Sequence, residues 1–183
     1  MTDSYDQHSD YRHCSRGGAV YLVVEGLLWL SSATLGLLGQ TTFAILLLII
    51  GGMLIHPVSV VGSRLVGLPQ LSETNRLPIL NTWLALMVPL ALPLVYMTMA
   101  GGRTNLFYPA FAVLIGAHWL PFVYVYAMKS FAVFAGVFVL IGVVFGIYLT
   151  ESFAACGFVV AGVLLVFASI NSLLVRRELQ VGK

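Results

Sequence analysis

Six stretches of this chain are each long enough to cross a bilayer and nearly free of charge, which confines what it can fold into. A spanning helix needs about 20 mainly apolar residues. The windows are 19–38, 41–61, 78–99, 107–128, 130–150 and 152–175. Pro57 interrupts the second, so its helix either runs on to Val66 or gives way to an interfacial piece over 58–68. Composition decides the class: 60% of residues are apolar and 9% charged, against about 45–50% and about 25% in soluble domains. Nine basic and seven acidic side chains cannot cover a water-soluble domain of this size. The chain is predicted to be all-α and polytopic, with six transmembrane helices in one bundle over 19–175. Polar cytoplasmic tails, the first of them flexible, are expected at 1–18 and 176–183.

Charge then sets orientation. Cells retain Lys and Arg on the cytoplasmic side of short loops. With six spans, Arg12, Arg16, Arg64, Arg76, Lys129, Arg176, Arg177 and Lys183 fall on one side and only Arg103 on the other. An odd count would scramble this segregation, so both termini are predicted to be cytoplasmic. The polar N-terminus, with Asp3, Asp6 and Asp10, does not resemble the basic start of a secretory signal, and the first window reads as a retained helix. A net charge of +2 gives a nucleic-acid partner no electrostatic support. Cys14 and Cys156 read as free thiols on opposite sides of the membrane midplane, with neither disulfide nor metal-ligand spacing.

Helices in lipid associate through small residues that let backbones approach. Gly142 and Gly146 in the fifth window, with Gly157 and Ala161 in the sixth, predict a tight contact between those two helices or a homodimer seam, internal packing being favoured. Pro89, Pro93 and Pro121 predict kinks in the third and fourth helices.

Ionisable groups inside a span cost about 2.5–3.5 kcal/mol on insertion scales and are functional candidates by default. Glu25 is the sole acidic residue within a window, with Trp29, Ser32 and Gly36 on its helical face. His56, Asn81, His118 and Asn171 also fall in the inner half of the membrane, on four further helices. The five define a candidate cytoplasm-facing polar cluster, with Glu25 and His118 as a candidate pair. Four of them also have a plainer role: His56 beside a helix break, Asn81 and Asn171 solvated near the interface, His118 bonded to a neighbouring carbonyl. No metal site is expected, since no two of Glu25, His56 and His118 stand i, i+4 on one helix. No cofactor-binding, phosphate-loop or nucleophile motif is present.

Gly52-x-x-x-His56-Pro57, Asn81 in the third window and Gly116-Ala-His-Trp-Leu-Pro-Phe122 resemble an uncharacterised family of small multi-pass bacterial inner-membrane proteins. The resemblance runs from the second window to the fifth. It implies one domain in a bacterial inner membrane and a shared pattern that includes His56, Asn81 and His118. It implies no activity, and Glu25 lies outside it.

Three readings follow. The leading one is a small transporter or channel-like protein that takes a small molecule or proton from the cytoplasmic side. An intramembrane enzyme acting on a lipid-like substrate comes second, and a non-catalytic scaffold or partner subunit third. Membrane lipid is the expected surrounding in each, and the balance leans away from an enzyme.

Overall fold

The computed structural model describes residues 6–181. Residues 1–5 of the expected tail and Lys183 lie outside them. Within the described residues the chain forms α1 (Gln7–Ser15), α2 (Ala19–Leu37), α3 (Thr41–Leu65), α4 (Leu77–Thr98), α5 (Phe107–Trp119), α6 (Phe122–Tyr126), α7 (Ser130–Ile147) and α8 (Ala155–Val181), with no strand. A 3-10 turn at Thr104–Leu106 leads into α5.

Five of these helices, α2, α3, α4, α7 and α8, are long and apolar enough to cross a membrane. Their outward faces leave Leu65, Leu90, Ile147 and many other large apolar side chains exposed. Water would penalise that surface at about 25 cal/mol per Å2, whereas lipid would not. The protein is membrane-embedded.

The second window runs through Pro57 as one helix of 25 residues, so no separate interfacial piece forms. At 1.5 Å per residue it is about 37 Å long, beyond the ~30 Å hydrocarbon core. The fourth window divides instead. Pro121 supplies no N–H, and the turn through Leu120 and Pro121 separates α5, 13 residues, from α6. A left-handed Ala127 then closes α6, with Met128 N donating to Val123 O at 3.2 Å.

The long helices form an open arc. α2 packs between α3 and α8, α5 packs between α4 and α7, and lighter contacts of α8 with α5 and α7 join the two groups. Consecutive helices α3 and α4 scarcely touch, in keeping with the long connection between them. The expected contact between the Gly142 and Gly157 helices is therefore relocated. A Cβ at Gly142 would come within 2.6 Å of the Pro109 carbonyl on α5, and one at Gly146 would rest 3.4 Å from the Pro109 ring. A Cβ at Gly157 would meet Ala33 on α2 at 2.9 Å, and Ala161 is buried in the core. These small residues are spent on seams inside the bundle.

Where a flexible N-terminal tail is expected, Gln7–Ser15 form α1, capped by the Asp6 carboxylate on His8 N at 3.1 Å. Tyr11 is buried, with its ring 5.3 Å from Tyr126. Arg12 forms a two-pronged pair with Glu178 at the end of α8 and donates to Tyr126 O at 2.9 Å. Asp10 accepts from Asn75 Nδ2 at 3.0 Å and Ser72 N at 3.3 Å in the α3–α4 connection. One end of the bundle thus gathers α1, that connection, the end of α6 and the end of α8. At the other end, Asn105 Nδ2 donates to Thr150 O, and Phe153 packs on Tyr108 at 4.8 Å.

Candidate functional site

The buried stripe of α2 is Leu22, Glu25, Gly26, Trp29, Ser32 and Ala33, the i, i+3, i+4 spacing of one helical face. Gly26 lets α8 approach, since a Cβ there would lie 3.0 Å from Leu165. That close contact presses the stripe inward and carries Glu25 into the bundle, where it is 5% exposed.

Glu25 lines a cavity of ≈ 340 Å3 bounded by α2, α3, α4, α5 and α6. His56, Asn81 and His118 line the same cavity. Its walls are mostly apolar and aromatic, with Phe111, Trp119 and Phe122 from the α5–α6 segment. The indoles of Trp29 and Trp119 face the Glu25 carboxylate, though Trp119 Nε1 falls short of a hydrogen bond. Glu25 and His118 share the space, and no hydrogen bond joins them among the described residues. His118 Nδ1 is buried without a partner, while its ring approaches the Leu84 carbonyl of α4.

His56 stands at the rim, exposed, with its Nδ1 3.0 Å from the Tyr21 hydroxyl. This bond ties α2 to α3 one residue before Pro57. Asn81 is buried one turn into α4, 8% exposed. The mouth lies in the gap between α3 and α4, where lining residues Met53, His56, Thr82, Ala85 and Leu86 are exposed. All five stand within apolar helices rather than in loops, so the mouth faces sideways.

Asn171 is elsewhere. It is fully buried in α8, where its Nδ2 donates to Gly17 O at 3.0 Å and its Oδ1 accepts from Ser130 Oγ at 3.1 Å. It fastens α8 to the α1–α2 turn and to the start of α7, and both amide ends are occupied.

Several polar contacts of the fold escape sequence reading. Ser32 Oγ donates to Ala44 O at 2.7 Å and meets the Tyr108 hydroxyl at 2.7 Å, joining α2, α3 and α5 beneath the cavity. Asn75 is 8% exposed; its Oδ1 accepts from Leu77 N, and its Nδ2 bonds to Gln7 and Asp10. An Asn just before a helix is a capping signal. The Tyr108 role carries no such local mark.

Among the described residues, no group of three or more His, Cys, Asp or Glu side chains converges to hold a metal ion. In α1, burial, with Asp10 beside it, pushes the Cys14 thiol up to about 11. A thiol held protonated at neutral pH is a poor metal ligand or nucleophile.

The arrangement defines a helical membrane-embedded protein with a side-opening cavity that holds one buried carboxyl group. The chain belongs to a family of unknown function, DUF7010, whose model matches residues 5–173. Neither the curated proteins nor the solved structures yield a match to the chain.

Proposed function

We propose that this protein is a small bacterial inner-membrane transporter whose cavity binds a small amphipathic molecule admitted sideways between α3 and α4. In this reading α5 and α6 together form a sixth pass, broken at Pro121, and both termini are cytoplasmic. The observation that carries it is Glu25: a buried carboxyl in a ≈ 340 Å3 cavity to which no Lys or Arg contributes among the described residues. Ligand pockets are concave, mostly apolar and oriented by a few polar groups, from about 300 Å3 upward. A carboxyl group kept in a membrane without a fixed counter-charge is costly, and its retention suits a group whose partner comes and goes. His56 and Asn81 near the mouth, with Glu25 and His118 further in, would meet the polar end of such a molecule.

Trp83 points outward, whereas Trp29 and Trp119 are buried against the cavity. In Trp83→Phe protein in nanodiscs, a brominated fatty alcohol should quench the remaining fluorescence saturably. Ala85→Phe at the mouth should remove the saturable part. Quenching that rises in proportion to concentration in both proteins would reject a ligand cavity. Turnover of a membrane lipid, lost in His118→Ala, would assign the cavity to an enzyme instead. Alanine tolerated at Glu25, His56, Asn81 and His118 together would favour a scaffold.

A further inference from the structure

The cavity's chemistry narrows its ligand. Among the described residues, Glu25 brings the only carboxyl group to the lining, and neither Lys nor Arg is there to neutralise it. Around it stand the rings of Trp29, Phe111, Trp119, Phe122 and Tyr126. Trp29 and Phe111 lie 5.6 Å apart by ring centroids, and Trp119 and Phe122 4.7 Å apart, so the rings form continuous walls. Aromatic faces attract cations, most strongly where water is excluded, and clusters of them are a recurring means of holding quaternary ammonium groups. An anionic ligand would meet the carboxyl group and the negative ring faces together. A neutral amphiphile could only hydrogen-bond the carboxyl group, whereas a cation would also hold it ionised, which burial alone disfavours. The sideways mouth between α3 and α4 demands that the ligand also dissolve in lipid.

We propose that the cavity selects lipophilic organic monocations, with Glu25 as counter-ion and Trp29 and Trp119 as the flanking π faces. This rests on the reading of the cavity as a ligand site, and the experiment separates the two. Tetraphenylphosphonium and tetraphenylborate share shape and lipid solubility and differ in the sign of their charge. Binding of each to the full chain in zwitterionic nanodiscs would be measured against empty nanodiscs, with the brominated fatty alcohol as neutral reference.

The expected result is saturable phosphonium binding, no saturable borate binding, and an affinity at least ~100-fold weaker in Glu25→Gln, the order expected when a buried charge loses its partner. Glu25→Asp, which keeps the charge, should retain most of the affinity. It also serves as the folding control, with thermal unfolding of both variants compared to wild type. Equal binding of the two ions, or phosphonium affinity unchanged in a folded Glu25→Gln, overturns cation selectivity while leaving the cavity. Saturable binding of the alcohol alone does the same. If none of the three binds saturably, the ligand cavity falls with the selectivity.

Discussion

Asn81 and Asn171 look alike in the sequence, as single amides near the inner ends of apolar helices, and the fold uses them differently. Asn81 lines the cavity, whereas both ends of the Asn171 amide are engaged by Gly17 and Ser130. Leucine at 171 fills a similar volume but leaves the Gly17 carbonyl and the Ser130 hydroxyl unmatched. Each buried group left without a partner costs about 1–3 kcal/mol. Asn171→Leu should therefore lower the thermal unfolding midpoint in detergent and leave saturable quenching of Trp29 and Trp119 unchanged in protein that remains folded. Loss of quenching with unchanged stability would return Asn171 to the cavity. A one-dimensional sequence places both residues within long apolar helices. It does not hold the rotation of a helix about its axis, and that rotation separates these two amides.

At the scale of elements, small residues announce close helix contacts without naming the partner. Gly142 and Gly157 lie on consecutive helices, which makes those helices the natural pair on sequence grounds. In the fold, Gly142 admits α5 and Gly157 admits α2, because α7 and α8 meet only lightly. α7 supplies its own control, since a Cβ at Gly136 meets nothing within 4 Å. Gly142→Ala must push the α5 backbone, and overpacking of this kind costs about 1–3 kcal/mol. Gly136→Ala gains helix propensity of about 0.5–1 kcal/mol at no steric cost. Opposite shifts in thermal unfolding are expected, with both proteins in the same oligomeric state. Dissociation of an oligomer in Gly142→Ala without loss of stability would restore the homodimer seam. α1 was hidden in the sequence for another reason. A short polar helix has no apolar run to betray it, and its order comes from distant partners at Asn75, Tyr126 and Glu178.

For the whole molecule, the five long apolar helices were legible because hydrophobic length acts locally along the chain. The arc of helices and its opening between α3 and α4 were not, because they depend on which helices pair. The number of crossings turns on α5 and α6. The five long helices alone are an odd number of passes, which would place the two termini on opposite faces. Yet the fold brings α1 against the end of α8 through Arg12 and Glu178, and the α3–α4 connection lies against α1 through Asp10. The first of these contacts joins parts that five crossings would separate, whereas α2 and α3 return the α3–α4 connection to the side of α1 under either count. The basic residues agree, since the positive-inside bias survives only if 107–126 traverses as well. Reporter fusions decide between the counts. A fluorescent protein that folds only in the cytoplasm should light up when fused after Lys183. A phosphatase active only outside should work when inserted at Gly101–Gly102 and stay silent when inserted at Glu73. Phosphatase activity at the C-terminus, with a dark fluorescent fusion there, would establish an odd count and leave the proposed sixth pass without a membrane to cross.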